Sequence, residues 1–187
     1  MKLTQKFTDA LVWATELHNR QYRKLSGEPY VSHLLRVCGI VLQYGGDEDE
    51  AIAALLHDAV EDQGGRETAD EIARRFGTRI AKLVDECSDT DQFPKPPWRE
   101  RKEAYLAHLN EASASALLII AADKLDNARC LTESLRAEGT ELWRCFGGGR
   151  DGSLWFYRSV ARALEKVLPG TLTDEVERAI RELERLS

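Results

Sequence analysis

The hydrophobic and polar positions of the chain fall into a succession of helical patterns. Phe7, Leu11, Ala14 and Leu17 recur on one face of a segment from about Thr4 to Asn19, the spacing of an amphipathic helix. LSGEPY interrupts the pattern with Gly27 and Pro29. Pro29 suits the opening of a second helix, whose apolar face carries Val31, Leu34, Leu35, Val37, Cys38, Val41 and Leu42 up to Gly45-Gly46. Asp49 can cap a third, AIAALLHDAVED, which is apolar all round in its first half and is expected at the centre of the core, with Gly64-Gly65 ending it. Thr68 and Glu71 have capping-box spacing for ADEIARRF, and Thr78 starts another amphipathic stretch to about Cys87. SDTDQFPKPPW holds three of the five prolines and reads as a loop. Helix resumes in WRERKEAYLAHL and in the long ASASALLIIAADKLDNARCLTESLRAEG, closed by Gly139. LWRCF, a Gly147-Gly148-Gly149 turn, SLWFYRSVARALEKVL, Pro169-Gly170 and DEVERAIRELERL complete the chain. No stretch alternates with period two between Asn-Gly or Asp-Gly turns, so an all-α bundle of about 8–10 helices is expected. Residues 1–187 are expected to form one domain, with 140–187 as a helical C-terminal tail packed on it.

Composition excludes several classes. With 43% hydrophobic and 31% charged residues the chain is not disordered. Its longest apolar run, Ala114 to Ala122, is interrupted by Ser115 and stopped by Asp123, well short of the roughly 18 residues that span a bilayer. The first residues have scattered charges and no apolar core with a cleavage site, so a cytoplasmic protein is expected. Cys38, Cys87, Cys130 and Cys145 form no CxxC pair and read as small core residues or free thiols.

Charge is more informative in its distribution than in its sum. The net −6 argues against nucleic acid as a partner. Residues 1–45 carry six Lys/Arg against three Asp/Glu, residues 46–92 five against fourteen, and residues 93–187 fifteen against fifteen, so the acidity belongs to the middle segment. Asp47 to Glu50 read as a solvated helix face. His57, Asp58, Glu61 and Asp62 differ, because they follow directly on a fully apolar run, where unpaired charge is expensive. A divalent cation would offset that cost. On this helix His57 and Glu61 are four residues apart, and Asp58 and Asp62 likewise, so two His/carboxylate rows are expected on neighbouring parts of one surface. His33 and Asp123 repeat the anomaly of an ionisable side chain set against apolar helical sequence and are the further ligand candidates. Two imidazoles and two carboxylates without a thiolate suit Mn²⁺, Fe²⁺ or Zn²⁺, and the absence of HExxH leaves a zinc-peptidase reading little support. Cations for an anionic substrate stand in the flanks, as Arg20, Arg23 and Lys24 and as Arg99, Arg101 and Lys102. Trp155, Phe156 and Tyr157 read as packing residues rather than a base-stacking platform.

Together these residues resemble a known family. His33, the His57-Asp58 doublet and Asp123 match the H…HD…D signature of HD-domain metal phosphohydrolases. HNRQYRKLSGEPYVSH, AALLHDAVED, FGTRIAKLVDECSD, PKPPWRERK and ADKLDNAR follow the order seen in stand-alone small alarmone hydrolases of the RelA/SpoT homologues, over residues 18 to about 129. Leu34, Gln63 and Asp126 depart from the family's usual Pro, Thr, and His or Tyr. The resemblance implies an HD-domain helical bundle holding one Mn²⁺ on His33, His57, Asp58 and Asp123. It implies Glu61 and Asp62 at the attacking water, and Arg23, Lys24, Lys102 and Asn127 on the nucleotide, with Arg20 beside them. The implied reaction is removal of the 3′-pyrophosphate of (p)ppGpp, giving GDP or GTP. A related nucleotide such as (p)ppApp or the ribose phosphate of NADPH, or a noncatalytic nucleotide-binding module, are the alternatives. Larger relatives add an alarmone synthetase, whereas these motifs and the tail fill the 187 residues, so a hydrolase without synthetase activity is expected.

Overall fold

A computed structural model describes residues 2–89 and 94–187 and turns the periodic segments into ten α-helices, without a strand among the described residues. They are α1 Gln5–Leu17, α2 Val31–Gln43, α3 Glu48–Leu56, α4 Ala59–Gln63, α5 Arg66–Phe76, α6 Thr78–Cys87, α7 Trp98–His108, α8 Ala114–Glu138, α9 Gly149–Val167 and α10 Thr171–Leu186. A short 3-10 helix, Thr140–Cys145, joins α8 to α9. Of the proline-rich stretch, residues 90–93 lie outside the described residues. Among the described residues no helix is long and apolar enough to cross a membrane.

The segment that is apolar all round is indeed the innermost. Ala51 to Leu56 are wholly buried, with α1, α2, α6 and α8 packed around α3. At about 1.5–3 kcal/mol for each fully buried Ile or Leu, Ile52, Leu55 and Leu56 anchor the residues that follow them. α8 runs alongside, sharing the core with α2 and α6 and packing against α9 and α10. A second cluster of Leu131, Leu135, Leu142, Trp143, Leu154 and Leu183 joins the C-terminal half of α8 to the 3-10 helix, α9 and α10. Trp98, at the start of α7, lies against the Gly147-Gly148 turn and Gly152; a Cβ on Gly148 would stand 2.6 Å from its indole.

Three local expectations are corrected. The cap of α3 is Asp47, not Asp49: the Asp47 carboxylate accepts from Glu50 N at 2.9 Å, while the Glu50 carboxylate accepts from Asp47 N at 2.6 Å. Asp49 instead pairs with Lys6 and Arg79, each at 2.8 Å. Thr68 does not cap α5, which starts at Arg66; Gly64 and Gly65 take φ values of 139° and 58° and turn the chain early. The Thr68 hydroxyl donates to the Gln63 carbonyl at 3.0 Å and closes that turn. AIAALLHDAVED is not one helix, since His57 and Asp58 form a turn between α3 and α4. The rows expected on an unbroken helix therefore do not apply there.

Candidate functional site

The interruption between α3 and α4 lies where the apolar run meets polar chemistry. The His57 ring folds back on its own helix, Nδ1 donating to the Ala54 carbonyl at 2.8 Å. A neutral imidazole so bonded keeps its lone pair on Nε2. That atom is buried and has no hydrogen-bond partner, and the same holds for Nε2 of His33, on α2. The ligand atoms of His33, His57 and Asp58 all lie within 4.8 Å of one another. Asp58 Oδ2 is 3.1 Å from His57 Nε2 and 3.6 Å from His33 Nε2. From α8, Asp123 Oδ1 stands 3.2 Å from His33 Nε2 and 3.7 Å from His57 Nε2.

Two orphan imidazole nitrogens facing two carboxylate oxygens fit a divalent cation by their chemistry, as neutral nitrogen and anionic oxygen donors. Burial disfavours the charged forms, but the groups neutralise one another. His33 is raised to about 9, the cost of burial being outweighed by the carboxylates around it, Asp123 and Asp58 facing Nε2 and Asp126 bonded at Nδ1. His57 is likewise held above the ordinary histidine range against its burial, by Asp58 and Asp123. Asp58 and Asp123 are held below the carboxylate range despite burial, by His57 and His33 for Asp58 and above all by the Lys124 ammonium for Asp123. The site demands positive charge, from protons or from a metal.

The neighbours of these groups are ordered. The Tyr30 hydroxyl donates to Asp58 Oδ2 at 2.6 Å, and its ring stacks on buried His18 at 5.2 Å. Gln21 accepts at Oε1 from His18 Nδ1 at 2.7 Å and donates from Nε2 to Asp62 Oδ2 at 2.7 Å; Gln63 also donates to its Oε1. Burial and the Asp58 charge raise Asp62 above the carboxylate range, which suits a group that exchanges a proton. Glu61 is partly exposed and pairs with Lys95 at 2.8 Å. Lys124 bonds Asp123 Oδ2 at 2.6 Å. Lys102, on α7, bonds Asp89 at 3.1 Å, lies 4.7 Å from the centre of the Phe156 ring, and is lowered from the lysine range by burial and by Lys124.

Beside this cluster opens a cavity of about 300 Å³. One wall is the loop before α2, drawn into a hairpin by Arg23 N donating to Glu28 O at 2.8 Å and Tyr30 N to Gln21 O at 2.9 Å, with Gly27 at φ 68° in its tip. The loop presents Arg23 and Lys24 to the cavity, which Asn127, Ser134, Phe146 and Tyr157 line from α8, α9 and the segment between. Arg23 Nη2 donates to Asn127 Oδ1 at 2.6 Å, and Asn127 Nδ2 in turn donates to Asp123 Oδ1. A polar chain thus leads from the cavity to the carboxylate. Lys24 donates to the Cys145 carbonyl and lies over Phe146.

The structure brings His33, His57, Asp58 and Asp123 together, with Arg23, Lys24 and Asn127 in the adjoining cavity. Asp62 is connected through Gln21, and Lys102 approaches through Lys124 and Phe156. Arg20 is exposed and does not line the cavity. In the second basic cluster, beside Lys102, Arg99 lies over Trp155 at 3.3 Å and bonds Glu103, while Arg101 pairs with Asp89. Phe156 is buried, as expected of a packing residue, whereas Tyr157 also faces the cavity. Residue type alone does not single out Tyr30, His18, Gln21 or Lys124, although all four stand inside the segments that carry the resemblance.

The chain is similar to several known proteins. The HD-domain family model matches residues 10–153. Guanosine-3′,5′-bis(diphosphate) 3′-pyrophosphohydrolase MESH1 of Xenopus tropicalis is 40% identical over 126 residues, covering 66% of this chain and 68% of that protein. The Mus musculus protein of the same name is 33% identical over 179 residues, covering 94% and 90%. A solved structure described as a metazoan ortholog of SpoT that hydrolyzes ppGpp superposes with a TM-score of 0.81 at 29% identity, over 97% of each chain.

Proposed function

The chain belongs to the HD-domain family, among its MESH1 and SpoT-like members, and from that premise we propose that it hydrolyses (p)ppGpp at the 3′-pyrophosphate, giving GDP or GTP and pyrophosphate. The observation that carries the reading is the pair of buried, unpartnered imidazole Nε2 atoms facing Asp58 and Asp123 at the edge of a cavity lined by Arg23, Lys24 and Asn127. We take residues 1–187 as one cytoplasmic catalytic unit with a small nucleotide as its partner.

His33, His57, Asp58 and Asp123 would hold one Mn²⁺. When bound, such an ion supplies a water of lowered pKa and a Lewis acid for the phosphoryl oxygen. The protein's own groups do the rest. Tyr30 fixes the Asp58 carboxylate, and Asn127 and Lys124 fix that of Asp123. Glu61, in the first turn of α4, accepts a proton from the attacking water once the substrate has drawn Lys95 away, and Asp62, raised by its surroundings, steadies that water. The Lys102 ammonium offsets the negative charge of the nucleotide's 5′-phosphates, and the group that leaves the attacked phosphorus is the ribose 3′-oxygen, which takes up a proton to become the 3′-hydroxyl of GDP or GTP. Arg23 and Lys24 face the nucleoside side, where the planar guanidinium can stack on a base and bond phosphate.

The test is direct. Purified protein with Mn²⁺ and ppGpp should release pyrophosphate and GDP, and parallel assays with ppApp, read as pyrophosphate, and with NADPH, read as orthophosphate, rank the substrates. No pyrophosphate from a folded, Mn²⁺-loaded sample would overturn the proposal.

A further inference from the structure

Asp126 is 3% exposed, buried in α8 one turn beyond Asp123. Its two oxygens are both engaged. Oδ2 accepts from His33 Nδ1 at 2.6 Å, and Oδ1 accepts from Arg36 Nε at 2.6 Å. His33 and Arg36 are three residues apart on α2, on one face of that helix, so a single carboxylate from α8 bridges them. Arg36 is itself held by Glu28 at 3.3 Å, and its Nη2 lies 3.3 Å from Cys130 Sγ. A carboxylate buried beside two other acids would be costly alone, and Arg36 supplies the countercharge.

The two imidazoles of the site are therefore unequal. The Nδ1–H of His57 meets a neutral carbonyl, that of Ala54, whereas the Nδ1–H of His33 meets a carboxylate. A carboxylate at Nδ1 locks the proton there, leaves Nε2 free, fixes the ring plane and makes the nitrogen a stronger donor.

We infer that Asp126, balanced by Arg36, is a positioning residue that holds His33 with Nε2 aimed at a divalent cation and thereby sets the affinity of the site for that cation. This rests on the reading of His33, His57, Asp58 and Asp123 as a metal centre. It gives a role to Asp126, which stands in the resemblance only as a departure from the family's pattern.

The experiment measures Mn²⁺ affinity of the full chain at one fixed pH by competition with a fluorescent chelator, for wild type, Asp126→Ala and Asp126→Asn. Loss of such an outer partner lowers affinity by about 10–100-fold, expected for Asp126→Ala; Asp126→Asn, which keeps the shape and one accepting oxygen, should lose several-fold. The Zn²⁺-loaded proteins provide a second readout by ¹⁵N-histidine NMR. The His33 Nδ1–H proton should lie far downfield in wild type and move upfield in Asp126→Asn. Saturating Mn²⁺ should restore turnover of Asp126→Asn with the nucleotide KM unchanged, which a general lesion of the fold would not give. Should Asp126→Ala fail to fold, Asp126→Asn decides. An affinity within twofold of wild type, or an unmoved Nδ1–H resonance, would overturn the inference. Failure of wild type itself to bind Mn²⁺ would remove the metal-centre reading, and this inference with it.

Discussion

Metal loading should change stability in a way that depends on pH with a sign set by the site. Mn²⁺ at one hundred times its dissociation constant stabilises a protein that binds it only when folded by about 2.7 kcal/mol. At about 2–4 °C per kcal/mol for chains of this size, melting should rise by roughly 5–11 °C over the chelator-treated sample. The pH dependence follows from His33, raised to about 9 from 6.5. In chelator, a histidine with a raised folded pKa contributes stability that is complete below pH 6.5 and is lost as pH climbs through 9. His57 acts in the same direction. Asp58 and Asp123, held low, are ionised throughout and add no slope in this window. With Mn²⁺ present the same protons compete with the ion, so binding strengthens as pH rises. At one Mn²⁺ concentration, set at one hundred times the dissociation constant measured at pH 6.5, the gap between loaded and chelated melting temperatures should therefore widen from pH 6.5 to about 8.5. Scanning calorimetry at intervals over that range measures it, with His57→Ala as the control that should shrink the shift to about 2 °C or less. A gap that narrows with pH, or a full shift in His57→Ala, would refute the assignment of these imidazoles to a metal.

Other expectations follow from particular contacts. Tyr30→Phe removes a hydrogen bond to an ionised ligand, worth about 1.5–3 kcal/mol, so Mn²⁺ affinity should fall about tenfold or more in the same chelator competition; unchanged affinity would mean the hydroxyl does not act on Asp58. Glu61→Ala should retain Mn²⁺ while kcat on ppGpp drops by about 10²–10⁴-fold, and loss of the metal instead would contradict a role in proton transfer. Gly148→Ala places a methyl 2.6 Å from the Trp98 indole; overpacking of that kind costs about 1–3 kcal/mol, read as an earlier urea midpoint, and an unmoved midpoint would show that α7 and α9 yield freely there.

Much of this fold is legible in the sequence because the helices are built on local periodicity. Gly45-Gly46, Gly77, Gly139 and Pro169-Gly170 mark ends that the structure keeps. The turn at His57-Asp58 is different, since no glycine or proline announces it. It depends on a ring folding back on Ala54 and on a tyrosine 28 positions upstream gripping Asp58. The capping box of α3 is written in Asp47 and Glu50, but four consecutive acids offer several caps by type alone; in the fold Lys6 bonds Asp49, while Arg79 bonds Asp47 and Asp49 alike. The site divides along the same line. His33, His57, Asp58 and Asp123 stood out as charge in apolar surroundings, a signal that each residue carries by itself. Asp126 acts through partners 93 and 90 residues away, and only the docking of α2 on α8 gives its charge a place.

The long helix α8 also fixes a distance. Asp123 lies at one end of the site, Asn127 a turn further, and Cys130, Leu131 and Ser134 continue along the cavity wall. At 1.5 Å of rise per residue, Asp123 and Ser134 are about 16 Å apart along the axis. On the reading proposed above, the phosphoryl group under attack sits at the first of these and the base extends toward the last. The helix is then a gauge of molecular length. An anionic nucleotide too short to reach both marks can occupy one at a time, so selection among phosphorylated nucleosides is written into backbone rise as well as into the side chains that touch them.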